Sequence, residues 1–274
     1  MKISVVTASY NYQDYIKETI QSVLDQTYKD WELIIVDDCS TDNSVEVIKS
    51  YKDDRIKLFV NEKNLGLKET VRRGIEKATG EWIVFLESDD ILTSDNIEKK
   101  VEIVKKYPEV NLVFNDCEFF GDEERVKKVE NDLRKTRKIL RRKKYPTKMF
   151  YNFYLSNKIF TFSSVMAKRD DLLKVNFETP IDVLLDWWLW IQLSNLGKFY
   201  YIPEYLTKWR LHKASYVSQS TYSSPKQFQM KMYMEIFKKQ KNLYILLFVL
   251  FEQLIWNLQK HQRRIKRLIF NKTK

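Results

Sequence analysis

The sequence predicts an α/β fold built on a mainly parallel, mixed sheet flanked by helices, with a basic and apolar helical extension at the C-terminus. Two observations predict it. Short apolar runs alternate with segments of helical spacing through the first 115 residues, the pattern of βαβ units. Several of those runs end in polar or acidic residues, as strands do when their carboxyl ends open onto a crevice.

Taken in order, Ile3-Ser4-Val5-Val6-Thr7-Ala8-Ser9 reads as a buried strand, followed by the polar turn Tyr10-Asn11-Tyr12. Residues 13–25 carry helical spacing through Tyr15, Ile16, Ile20, Val23 and Leu24. Leu33-Ile34-Ile35-Val36 is a strand ending in Asp37-Asp38, and a helix runs from Ser44 to about Tyr51. Residues 56–60 form a third strand. Helix 67–79 follows, with Gly80 expected at its C′ position. Strand 82–86 runs into Glu87-Ser88-Asp89-Asp90, where Asp89, Asp90 and Ser94 are all candidate caps for a helix over 94–106. Strand 110–114 ends at Asn115-Asp116. A basic segment, 122–148, contains an amphipathic helix. A short strand at 163–166, a helix opening at Asp186 and two closing strands at 199–202 and 206–210 complete the reading, with His212 directly after them.

The 274 residues suit one large domain or one domain with an appendage. Five glycines allow neither a GxGxxG nor a GxxxxGK[ST] motif, which removes the usual dinucleotide and P-loop readings. Two cysteines, Cys39 and Cys117, offer no disulfide framework and suit a reducing compartment. Nothing at the N-terminus resembles a signal peptide, so the expected location is cytoplasmic. The net charge of +11 is uneven. Residues 125–148 and 226–274 each hold 12 Lys/Arg against 2 Asp/Glu; together they carry +20, so the remainder carries −9. An acidic body thus bears two basic appendages suited to an anionic surface or a phosphate-rich partner.

The acids after strand 82–86 are the centre of the chemistry. Three carboxylates within four positions repel one another, and a stable cluster needs a cation or strong donors. With Asp37-Asp38, five carboxylates stand at strand ends that one crevice can gather.

Four ordered blocks resemble an inverting glycosyltransferase of family 2. They are Ser4–Asn11, Ile35–Asp42, then Asn64-Leu65-Gly66 with Gly74 and Gly80–Ile83 leading to Glu87–Asp90, and lastly Leu185–Trp190 with Arg210-Leu211-His212. The resemblance covers about residues 1–218. It implies a nucleotide-diphosphosugar donor and the GT-A fold, a Rossmann-like sheet, with 1–118 as the nucleotide-sugar half, 119–218 as the acceptor half and 219–274 as a helical tail. It implies donor contacts from Ala8, Tyr10, Asp37, Asp38, Gly66, Ser88, Arg210 and His212. The metal, Mn²⁺ or Mg²⁺, falls to Asp89 with Glu87 or Asp90 assisting, and the general base is Asp186. Three positions depart from the family: Glu87 where Asp is usual, Leu185 where Glu is usual, and Gln192 where Arg is common.

Inverting sugar transfer needs a base on one face of the anomeric carbon and charge stabilisation of the leaving diphosphate on the other. Asp186 stands before an apolar helix rich in tryptophan, where burial would raise its pKa; without the family, an N-cap is the simpler role for it. The acceptor expected is a hydroxyl of a glycan or a lipid-linked sugar in cell-surface polysaccharide synthesis. In the tail, residues 243–251 are wholly apolar but too short to span a bilayer, and Lys/Arg flank both sides. The expectation for 226–274 is an interfacial helix that holds the protein peripherally on the inner, anionic face of the cell membrane. The alternative is packing on the domain or on a second subunit, as a homo-oligomer. Two other readings of the whole stand beside the enzyme: a nucleotide-sugar-binding homologue without activity, suggested by Glu87 and Leu185, and a basic nucleic-acid-binding protein, which the acidic body argues against.

Overall fold

The structure is a computed structural model, and it describes residues 1–179 and 184–212 together with Phe251 and Leu254. The chain divides into two compact units, Met1–Ser220 and Thr221–Lys274. The expectations for the tail lie outside the described residues.

The first unit is a single eight-stranded mixed sheet in the order β3-β2-β1-β4-β7-β6-β8-β5. Strands β1 (Ile3–Ser9), β2 (Trp31–Asp37), β3 (Ile56–Val60) and β4 (Trp82–Phe85) pair in parallel, β1 lying between β2 and β4. Their connecting helices are α1 (Ile16–Leu24), α2 (Ser44–Lys49) and α3 (Leu67–Lys77). Every residue of β2 is buried, and β1 is buried but for a half-buried Ala8. These strands are apolar on both faces because helices cover both. Beyond β4 come β5 (Ile91–Leu92), α4 (Asn96–Lys106), β6 (Val110–Gly121), α5 (Glu123–Arg141) and α6 (Phe150–Leu155). A 3₁₀ turn at Phe162–Ser164, β7 (Val165–Lys168), α7 (Arg169–Leu172), α8 (Leu185–Leu196) and β8 (Lys198–Leu211) follow. β7 is antiparallel to β4 and β6, β8 is parallel to β6, and β5 closes antiparallel on β8. Helix α8 buries Leu185, Trp187 through Ile191, Leu193 and Ser194, nearly its whole circumference, so it is a central packing element.

Four expectations change. Gly80 does not terminate α3 in a left-handed turn; the helix stops at Ala78, and Gly80 is needed because it presses on β1. The residues after Asp90 are a short strand, β5, so α4 starts at Asn96 behind Asp95, and none of Asp89, Asp90 and Ser94 caps it. Strand β6 continues through Asp116 to Gly121, because Asp116 is buried against Arg137, Arg141 and the Tyr201 hydroxyl and does not end the strand in solvent. The two closing strands are one, β8: register shifts opposite Asn115–Cys117 absorb Pro203 and Glu204 as a bulge.

Candidate active site

The carboxyl ends of β1, β2 and β4 lie side by side, and they carry the polar residues of the sequence blocks. At β1 and β4 the ends are tied together: the Ser88 hydroxyl donates to the carbonyl oxygen of Ala8 at 2.7 Å. At β2, Asp37 accepts from the backbone N–H and the hydroxyl of Ser40 at 2.8 and 2.6 Å, which fixes the turn after the strand. Asp38 is wholly engaged. Its oxygens accept from the Asn61 amide (2.7 Å) and from the backbone N–H groups of Leu65 and Gly66 (2.8 Å each), so it anchors the loop that enters α3. Gly66 adopts φ +82°, a conformation open to glycine, to present that N–H. Tyr10 stands exposed beyond β1.

The acid cluster sits where β4 gives way to β5. Because β5 pairs with β8 with Ile91 opposite Lys208, the residues just before it meet the end of β8. There the Arg210 N–H donates to Asp90 Oδ1 at 2.9 Å, and His212 Nε2 lies 2.8 Å from Asp89 Oδ2. The Arg210 guanidinium braces this corner from behind: it donates to the Asp89 carbonyl oxygen and to Glu18, each at 2.9 Å, and lies over the rings of Tyr15 and Phe120. The Thr161 hydroxyl sits between Glu87 Oε2 (2.9 Å) and Asp90 Oδ2 (3.3 Å).

Burial and the charge of Asp89 push Glu87 up to about 8, against the hydrogen bond from Thr161; the charge of Asp186 pushes the same way. Burial and the charges of Asp89 and Glu87 raise Asp90 well above the carboxylate range. Burial raises the Tyr12 phenol far above its ordinary value, and the charges of Asp89, Glu87 and Asp90 add to this, which places that ring against the whole cluster.

Asp186 occupies the first turn of α8, near enough to the cluster for its charge to act on Glu87. Its Oδ2 accepts from the Asn157 amide at 2.8 Å. Burial lifts it to about 6, partly offset by hydrogen bonds from the Trp187 backbone and Asn157. The N-cap of α8 is Leu184, so Asp186 is not the cap.

The donor set fits a hard divalent cation in part. Among the described residues, no three His, Cys, Asp or Glu side chains form a group that could hold a metal unaided. Asp90 is turned into the protein, and Thr161 already engages Glu87. Asp89 retains an oxygen, Oδ1, with no hydrogen bond from a described residue, beside the imidazole of His212. One carboxylate with an adjacent imidazole suits Mn²⁺ or Mg²⁺ when substrate phosphates and water complete the shell. Tyr12, Tyr15, Asn157 and Thr161 are members of the site that the sequence did not single out. Tyr15 and Tyr12 flank His212 with ring centroids at 4.9 and 6.3 Å. Their helical and turn positions next to the first block were the available signal; Asn157 and Thr161 carried none.

An α/β sheet of this order, with an acid corner after β4 facing a carboxylate on α8, defines the GT-A class of fold. Solved structures share it. The chain is similar to S. aureus TarS 1–349 in complex with UDP-GlcNAc, with a TM-score of 0.61, 19% identity and coverage of 86% of this chain and 67% of that one. It is also similar to the mannosyltransferase PcManGT from Pyrobaculum calidifontis in complex with GDP-Man and Mn²⁺, with a TM-score of 0.57, 16% identity and coverage of 86% and 64%. The profile of Glycosyl transferase family 2 matches residues 4–169, and the chain belongs to that family. Among relatives, it is 30% identical over 223 residues to the uncharacterized glycosyltransferase MJ1057 of Methanocaldococcus jannaschii, covering 79% of this chain and 73% of that one. It is 43% identical over 104 residues to the putative teichuronic acid biosynthesis glycosyltransferase TuaG of Bacillus subtilis. That match spans 37% of this chain and only 41% of TuaG. Over 191 residues it is 29% identical to the Escherichia coli UDP-Glc:alpha-D-GlcNAc-diphosphoundecaprenol beta-1,3-glucosyltransferase WfgD, covering 70% of this chain and 69% of that protein.

Proposed function

We propose that the protein transfers a sugar from a nucleotide-diphosphosugar to a hydroxyl of a glycan or lipid-linked acceptor, with inversion and with a divalent cation, in cell-surface polysaccharide synthesis. The observation that carries this reading is the mutual position of two acid centres. The charges of both Asp89 and Asp186 act on the buried Glu87, so the acid corner after β4 and the carboxylate of α8 lie close to one another.

Asp186 takes the proton of the acceptor hydroxyl as that oxygen attacks the anomeric carbon. A base lifted to about 6 is ionised at neutral pH yet basic enough to assist. Asn157 and the Trp187 backbone N–H hold the carboxylate in place. On the opposite face, Asp89 and His212 are the residues that would hold the cation, which when bound neutralises charge on the departing diphosphate. Arg210 keeps both in place through the Asp89 carbonyl and the Asp90 carboxylate. Tyr10, Asp37 and the Ala8–Ser88 junction line the strand ends where the nucleoside would lie. The lipid-linked substrate in the name of WfgD and the polymer in the name of TuaG support an acceptor of this class. Together with the basic tail they support a place at the inner membrane face.

The test is a panel of nucleotide sugars scored for thermal stabilisation with and without Mn²⁺, since a ligand at about 100 times its Kd adds roughly 2.7 kcal/mol. One sugar nucleotide should raise the melting temperature only with the cation, and Asp89→Ala should abolish the rise. Cation-independent stabilisation that survives in Asp89→Ala would overturn the metal assignment. Metal-dependent binding without turnover, across acidic, neutral and lipid-linked acceptors, would favour an inactive homologue.

A further inference from the structure

We propose that Arg125, in the first turn of α5, is a positioning residue for the cation corner: it fixes the backbone of His212 so that the imidazole meets Asp89. This rests on the reading of Asp89 and His212 as the residues that would hold the cation.

His212 lies one residue past the end of β8, where a chain leaving a sheet is ordinarily free to turn. Here the peptide on each side of it is held. Gly121 is paired with Leu211 at the last rung between β6 and β8, and the Asp122 N–H donates to the Leu211 carbonyl oxygen at 2.8 Å. The Arg125 guanidinium donates to the carbonyl oxygen of His212 itself at 3.2 Å. Asp122 joins the two contacts, because its carboxylate accepts from the Arg125 N–H at 3.1 Å as the N-cap of α5. With both flanking carbonyls fixed, the imidazole lies against the rings of Tyr15 and Tyr12 and ends 2.8 Å from Asp89 Oδ2.

Two local preferences are set aside to make this approach. Gly121 adopts φ +107°, and a Cβ there would lie 2.5 Å from the Leu211 carbonyl oxygen, so only glycine lets α5 begin so close to the end of β8. Arg125 follows Glu123 and Glu124 in the first turn of α5, where the helix dipole favours acids and opposes a cation. A basic side chain there loses within its own helix and gains from a partner outside it. The His212 carbonyl is such a partner, and the charge of the guanidinium strengthens the hydrogen bond. Groups that orient a metal ligand from behind change metal affinity by about 10- to 100-fold when removed. In this role Arg125 acts through His212 and not on the reacting atoms.

The full chain, labelled with ¹³C-histidine, gives a metal-free test. The rings of Tyr12 and Tyr15 shift the NMR signal of the His212 Cε1–H group, which is identified by its loss in H212Q, His261 being the other histidine. Arg125→Met should move that signal toward the position of a solvent-exposed histidine. Arg125→Lys, which keeps a cationic donor, should leave it near the wild-type position. With UDP present, Mn²⁺ affinity, read from the EPR signal of the free ion, should fall about tenfold in R125M and in H212Q and stay within about twofold of wild type in R125K. If R125M melts early, Arg125→Gln, which is polar but shorter, gives both readouts. A His212 signal unmoved by loss of the guanidinium, wild-type Mn²⁺ affinity in R125M where H212Q has lost it, or a defect that R125K shares in full would each overturn the positioning role. Wild-type Mn²⁺ affinity in H212Q would instead overturn the cation reading, and the metal-free spectrum would still decide whether Arg125 holds His212.

Discussion

At the scale of single residues, Asp186 makes the sharpest prediction. Its carboxyl is lifted to about 6 by burial, while in the unfolded chain it titrates near the ordinary value of about 4. The folded protein therefore binds its proton more tightly, and stability supplied by this group falls as pH climbs through the window from about 4 to about 6. Catalysis runs the other way, since only the ionised base accepts a proton. The prediction is that kcat/KM rises about tenfold per unit below pH 6 and levels above it, and that Asp186→Asn lowers kcat by roughly 10²–10⁴ with donor affinity little changed. A flat profile between pH 5 and 8, or near-full activity in Asp186→Asn, would remove Asp186 from the reaction. Asp186 and Asp89 could be seen in the sequence because each breaks an apolar run. Asn157 and Thr161 could not, because each acquires its meaning only from a carboxylate 29 or 74 positions away that the fold brings to it.

At the scale of elements, the sequence revealed the parallel half of the sheet well and the antiparallel half less well. β1, β2 and β4 are apolar runs cut by helices, and burial on both faces makes that pattern unmistakable. β5 is two residues long and exists because β8 offers it a partner, so no periodicity marks it. Pro203 and Glu204 looked like a break between strands, yet a bulge carries them while β6 supplies the ladder on either side. Gly80 shows the same difference between local and tertiary causes. A Cβ there would stand 2.7 Å from the Ser4 nitrogen and 2.8 Å from the Lys2 carbonyl oxygen, and backbone atoms of a central strand cannot retreat. Gly80→Ala should cost roughly 1–3 kcal/mol in denaturant unfolding; unchanged stability would show that β1 can yield. Helix α4 makes a second prediction. Lys100 is fully buried, its ammonium has no hydrogen-bond partner among the described residues, and burial lowers it to about 7. The unfolded chain holds that proton up to about 10.4, so between those values it binds more protons than the folded chain and stability rises with pH. Lys100→Met should be more stable than wild type at pH 7, with the difference closing by on the order of 1 kcal/mol per unit toward pH 9. Parallel stability curves for the two proteins would show that water reaches the ammonium.

At the scale of the whole molecule, charge is unevenly divided along the chain. The acids of the β4–β5 corner and Asp186 lie in the first unit, while the sequences of α5 and of residues 226–274 are rich in Lys and Arg. Among the described residues, no helix is long and apolar enough to cross a membrane. The apolar run 243–251, flanked by lysine and arginine, has the composition of a segment that lies in the interface. Each Lys or Arg near an anionic surface adds about 1 kcal/mol, so Arg263, Arg264, Lys266 and Arg267 together supply enough for reversible attachment. The full chain should therefore co-sediment with phosphatidylglycerol-containing vesicles, much less with neutral phosphatidylcholine ones, and leave them at about 0.5 M salt. Replacing those four residues by Glu should weaken vesicle binding by more than about tenfold. If instead wild type ignores both vesicle types and sediments as a concentration-dependent dimer that the Glu variant loses, the tail meets a second copy and not lipid.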